Sequence, residues 1–207
     1  MPALLTFDTN VIFDIWSGRD GDHAVLLLQL AEAGRVELVL PEFVLLEFRG
    51  TALRWLREQR ARIEPMRQLV REWERCEPLG EAADEVRGGV RKLLAELDTL
   101  SNHIDPVIAR VRAIARVEPH TFDLHFRGDL RYLAGHAPDR PVDGLKDCRI
   151  YEALLGILRA DVGNARPHKV FATKDGDFTK FPELVAEVQA LGAQLRGDLG
   201  RLYGELR

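Results

Sequence analysis

The 207-residue sequence predicts an α/β protein built on a parallel sheet, and three observations carry that reading. Short apolar runs at residues 4–7, 36–40 and 168–173 have the length and character of interior strands. Between them lie longer segments whose apolar residues recur at helical spacing. Acids also stand at the strand ends or on the helices that follow, where open α/β sheets gather their ligands.

Taken in order, residues 4–7 form a buried strand that stops at Asp8. Thr9 and Asn10 are placed to cap a helix with Val11, Ile12, Ile15 and Trp16 on its apolar face. Taken alone, Asp8 reads as another cap. Residues 17–21, SGRDG, make a turn, and 23–33 a leucine-rich helix ended by Gly34. The second strand is VELVL, 36–40, and Pro41 opens the next helix, where its missing N–H costs nothing. That helix carries PEFVLLEF, with Glu47 between Leu46 and Phe48. A glutamate in so apolar a segment must be paired, protonated or bound. Arg49 and Arg54 are the partners within reach along the helix.

Residues 49–117 read as a helical block. One stripe holds Leu56, Ile63, Met66, Val70 and Trp73, and a second holds Val86, Val90, Leu93, Leu97, Leu100 and Ile104. Two such helices predict an antiparallel hairpin, with a turn at 77–80 and bends at Pro65 and Pro106. Residues 118–143 are less regular. Residues 145–161 form a clear helix with Asp143 as its N-cap and Asp147 in its first turn. Glu152, five positions on, turns away from Asp147 and is expected at the surface. The third strand, HKVFAT, runs straight into KDGDF, and residues 182–191, 193–196 and 199–206 follow as helix, edge strand and helix. A single domain over 1–207 is expected, with 50–140 a mainly helical insertion.

A net charge of −4 and a pI near 5.9 neither require a nucleic-acid partner nor rule one out. Cys76 and Cys148 lie far apart without metal-ligand spacing, which points to reduced thiols and a cytoplasmic protein. No apolar run nears the ~18 residues of a membrane span. The histidines and tryptophans read as structural or exposed, and as core, respectively.

Asp8, Glu47, Asp147 and Asp175 with Asp177 are separated by 39, 100 and 28 residues, so a folded core alone can assemble them. Clustered carboxylates raise one another's pKa unless a cation relieves them. A hard ion such as Mg²⁺ or Mn²⁺, one or two of them, suits oxygen donors, and such an ion activates water and stabilises charge on a phosphoryl group.

Four motifs, FDTNVIFD, PEFVLLEF, LKDCRIYEALL and FATKDGDF, resemble in this order those of PIN-domain nucleases, the superfamily that includes the VapC-type toxins. The resemblance covers residues 1–50 and 140–200 and leaves the helical block unmatched. It implies a three-layer α/β/α sandwich with about five parallel strands, acting as a metal-dependent ribonuclease on single-stranded RNA. It assigns catalysis and metal binding to Asp8, Glu47, Asp147 and Asp175, with Asp177 as a further ligand and Asn10 and Thr173 in support. It also brings an antitoxin or other protein, and a second copy of the chain, as candidate partners.

The segment 49–75 holds eight arginines against four glutamates, a local excess of +4. Arg57, Arg60, Arg67 and Arg71, with Lys174 near the acids, are candidate phosphate contacts; a solvated helix face with internal ion pairs explains the same pattern. Two other functions compete. A catalytically inactive PIN-like scaffold would bind RNA or protein without the metal. A haloacid-dehalogenase-like phosphatase needs an acid two residues after Asp8, where Asn10 stands. The absence of G-x-G-x-x-G and of G-x-x-x-x-G-K-[ST] leaves dinucleotide and P-loop chemistry unsupported.

Overall fold

The computed structural model describes residues 1–19, 22–138 and 144–207. Five strands, β1 (Ala3–Phe7), β2 (Val36–Pro41), β3 (Arg116–Glu118), β4 (Lys169–Ala172) and β5 (Gln194–Arg196), form one sheet in the order β3-β2-β1-β4-β5. Every pairing is parallel, with Leu5 opposite both Leu38 and Val170. β1 is central and all five of its residues are buried, as a strand covered on both faces must be. Helices flank this sheet, giving the α/β/α architecture that the motifs implied.

The chain divides into two compact units. The sheet unit comprises Met1–Phe48 and Ile108–Arg207, and the helical unit Arg49–Val107. In the sheet unit, α1 (Thr9–Ser17) and α2 (His23–Glu32) follow β1, and α3 (Glu42–Trp73) begins after β2. α6 (Phe122–Leu133) packs on α7 (Gly144–Ala160), so closely that a Cβ on Gly128 would stand 2.6 Å from the Arg149 backbone. α8 (Gly176–Lys180), α9 (Pro182–Ala190) and α10 (Leu199–Leu206) complete it.

The helical unit holds the rest of α3, a short 3-10 turn, α4 (Gly80–Asn102) and the start of α5 (Ile104–Ile114). Its buried residues on α3 and α4 are Ala52, Leu56, Ile63 and Val70, and Ala83, Val90 and Leu97, nearly all seven apart, and Ile104 is buried at the start of α5. Met66, Val86 and Leu93, expected on the same stripes, are exposed. A two-helix contact buries one narrow seam, and the wider stripe read from the sequence exceeds it. The ion pair Arg60–Asp98 ties α3 to α4, and Arg87 of α4 pairs with Glu74 just past the end of α3, in antiparallel register.

Several elements differ from expectation. Residues 116–118, read as helix or irregular chain, form β3 on the outer edge of β2; a three-residue strand leaves no periodicity to read. Residues 50–140 therefore do not behave as one helical stretch, because 108–140 belong to the sheet unit. Pro41 closes β2, opposite Glu118, and Glu42 opens the helix. Pro65 sits within a continuous α3, and Pro106 in the first turn of α5. The proposed cap at Asp143 falls outside the described residues.

Glu152 is buried, contrary to the surface position expected of it, and is gripped by Arg131 (2.9 Å) and Arg159 (2.9 Å). Arg131 also holds Glu187 and the Ala137 carbonyl and lies over the Tyr151 ring. The helical phase does turn it from Asp147, but toward α6 and α9 rather than solvent. Glu152→Gln should leave the partly buried Arg131 short of a counter-charge and destabilise the protein by roughly 3 kcal/mol. Thermal denaturation should show Tm falling by about 5–10 °C.

Candidate metal centre at the carboxyl edge of the sheet

The chain lays down β1, β2 and β3 in one direction, then returns to place β4 on the other side of β1. The switch between β1 and β4 is where a parallel sheet opens a crevice at its carboxyl edge. Asp8 ends β1 there, and Thr173 and Asp175 follow β4.

Asp8 is 2% exposed and uses both oxygens. One accepts the Val11 N–H at 3.0 Å, so Asp8, rather than Thr9 or Asn10, is the N-cap of α1. The other accepts the Thr173 hydroxyl from across the switch. The Thr173 oxygen in turn accepts the Asp175 N–H at 2.9 Å, which sets the turn carrying that acid. Burial, aided by the nearby charges of Asp175 and Glu47, outweighs both hydrogen bonds and pushes the Asp8 carboxyl from 3.8 up to about 7.

Glu47, on the second turn of α3, has neither arginine as partner. Lys146 stands 2.8 Å from its Oε1, and the Thr9 hydroxyl donates to its Oε2. Asp147, beside Lys146 in the first turn of α7, is buried. Asn10 is exposed and lines an open cleft of about 390 Å³ with Phe13, Asp14, Arg19, Lys174 and Asp175. The Arg19 guanidinium lies 5.1 Å over the Phe13 ring. Asp177 falls on α8, and its side chain is outside the described residues. Arg57, Arg60, Arg67 and Arg71 are exposed in the helical unit, where Arg60 pairs with Asp98 and Arg67 with Glu64.

The PIN domain family profile matches residues 5–178. The chain belongs to the PIN-domain family. Comparisons with curated proteins and with solved structures returned no match. PIN domains make up a nuclease superfamily, and the match spans all four acidic motifs as well as the helical unit.

The donors of this PIN domain fit a hard divalent cation in kind: oxygen atoms, surplus negative charge, and a buried carboxylate held near neutrality. Among the described residues, however, no three His, Cys, Asp or Glu side chains stand close enough to grip one ion. Thr9, expected only as a helix cap, and Lys146 and Arg19, not singled out in the sequence, take part in or beside the site. Lys146 adjoins the Asp147 motif, but nothing in one dimension shows that its ammonium reaches Glu47. His120 and His125, read as unremarkable, meet at 2.9 Å beyond β3.

An acid whose folded pKa stands above its unfolded value binds its proton better when folded. Asp8 therefore favours the folded state most below about pH 4, and that contribution is lost as pH rises to about 7. The full loss is on the order of 4 kcal/mol at most. In metal-free buffer Tm should fall from pH 5 to pH 8, and Asp8→Asn should flatten that slope and melt several degrees higher at pH 8.

Proposed function

We propose that this PIN domain is a Mg²⁺- or Mn²⁺-dependent nuclease that hydrolyses phosphodiester bonds in single-stranded RNA. The observation that carries the reading is the buried Asp8, raised to about 7 beside Asp175 and Glu47 at the sheet's switch point. A fold tolerates such a carboxylate at a cost to its own stability, and sites of that kind belong to chemistry.

Asp8, Asp147 and Asp175 would offer oxygens to the ion partly through bound water, since among the described residues no three acids stand close enough to grip it directly, with Asp177 as a further donor and Glu47 contributing charge. The bound ion supplies a water of lowered pKa and offsets the charge that builds on the phosphoryl oxygens. Thr173 orients Asp8 through its hydroxyl and sets the Asp175 turn through its oxygen. The adjoining cleft has room for about one nucleotide's worth of strand, and Arg19 and Lys174 in its wall provide the positive charge a phosphate needs. An extended single strand enters such a cleft more readily than a duplex.

A second reading is a PIN scaffold that binds RNA or protein without cutting. The pairing of Glu47 with Lys146 favours it, because one acid of the set is already neutralised. Purified protein incubated with RNA and single-stranded DNA in Mg²⁺, Mn²⁺ or EDTA separates the two. Cleavage that requires metal and drops at least about 100-fold in Asp8→Asn, Asp147→Asn and Asp175→Asn supports the nuclease. Binding without cleavage under every metal supports the scaffold.

The arginines of α3 would hold the strand outside the reacting centre. Changing Arg57, Arg60 and Arg67 together to Gln should weaken RNA binding and lower the slope of log affinity against log salt by about 2. Turnover at saturating RNA should change little. An unchanged affinity and slope in filter binding would leave these side chains as a solvated face.

A further inference from the structure

We infer that the helical unit carries a phosphate-binding subsite of its own, a cleft between α3 and α4 in which Arg71 and Arg91 take the terminal phosphate of a nucleotide. The cleft lies wholly within Arg49–Val107. The choice of a nucleotide as the carrier of that phosphate rests on the proposed action on RNA.

Four arginines line the cleft, which encloses about 280 Å³. Arg67 and Arg71 stand one helical turn apart on α3, and Arg87 and Arg91 one turn apart on α4. Val70, Val90 and Leu94 form its apolar lining, and the two valines belong to the buried seam of the hairpin. Closing that seam therefore gathers four guanidiniums around one cavity, where they repel one another unless an anion lies between them.

The four are not equivalent. Arg87 is matched by Glu74, in the same cleft wall, and by Asp84 at 2.8 Å, and Arg67 is matched by Glu64 at 3.1 Å. Arg71 and Arg91 have no ion pair or hydrogen bond among the described residues. Two unspent guanidiniums suit a phosphate monoester, which carries about two negative charges at neutral pH and three acceptor oxygens that planar forks grip in pairs. An internal diester, with a single charge, would leave one of them unmatched. The apolar lining suits the face of a sugar or base. A volume just below the ~300 Å³ of the smallest ligand pockets limits the occupant to about one nucleotide. The group recognised is thus a phosphomonoester, borne by the end of an RNA strand or by a free mononucleotide.

The test is calorimetry on the full-length chain at low salt in EDTA, which prevents metal-dependent cleavage, with AMP and adenosine as probes. Wild type should bind AMP at least about ten-fold more tightly than adenosine. Arg71→Gln combined with Arg91→Gln should remove that margin. Arg62→Gln combined with Arg75→Gln, which removes the same charge outside the cleft, should keep it. Far-UV circular dichroism is the folding control, and Arg71→Lys with Arg91→Lys, which keeps the charge but not the fork, serves if the first pair fails to fold and should lose part of the margin. An oligoribonucleotide with a terminal phosphate, compared with the same chain ending in hydroxyls, separates the two carriers. A preference that disappears in Arg71→Gln/Arg91→Gln supports the inference with the strand end as carrier, and AMP binding without such a preference supports it with the free nucleotide. Equal affinity for AMP and adenosine in wild type, or an equal loss in the Arg62/Arg75 pair, overturns it and leaves the nuclease reading standing. Absence of metal-dependent cleavage with the AMP margin intact overturns the nuclease reading and leaves the subsite.

Discussion

The Asp8 carboxylate joins the two halves of the sheet at their switch point, with one oxygen on the first turn of α1 and the other on the Thr173 hydroxyl beyond β4. Because β1 is the central strand, the side chain at its end is shut off from water by elements on both sides. That enclosure makes the two hydrogen bonds strong and the charge expensive at once. The remainder of the site is arranged around this conflict: Asp175 is set by the same threonine, and Glu47 is brought near and then neutralised by Lys146.

The opposite end of the same strands shows how the protein treats acids when stability is the sole concern. Burial pushes Asp161 up as well, but hydrogen bonds from Asn164, Arg166 and Lys169 outweigh it and hold the carboxyl below its ordinary range. Arg166 extends the network to Glu37 and to the Pro2 carbonyl, beside the starts of β1, β2 and β4. Each buried charge there meets an opposite charge. At the carboxyl edge, Asp8 receives two hydrogen bonds and no cation among the described residues. Two edges of one sheet, built from the same residue types, thus differ in charge balance.

The helical unit follows a simpler rule. A seven-residue ladder from Leu56 to Val70 and from Ala83 to Leu97 buries a narrow seam, leaving much of each helix to solvent and to charge. Arg60 and Arg67 spend part of their charge on Asp98 and Glu64, while Arg57 and Arg71 have no ion-pair partner among the described residues. Such a surface is compatible with phosphate contact at modest electrostatic cost, since exposed pairs exchange readily.

The sequence by itself determined the acids, the strands β1, β2 and β4 and the helices between them, because burial on both faces writes continuous apolar runs and amphipathic packing writes a 3.6-residue period. It also determined the family, through four short motifs at Asp8, Glu47, Asp147 and Asp175. Only the tertiary structure decided which atoms meet. β3 is too short to carry a period and exists because the edge of β2 offers it hydrogen bonds. Glu152 looked like surface from its helical phase, yet α6 supplies Arg131 to receive it. Glu47 looked destined for an arginine on its own helix, yet its partner is Lys146, 99 residues away along the chain. Periodicity records whether a side chain is buried; it carries no record of which distant charge lies opposite.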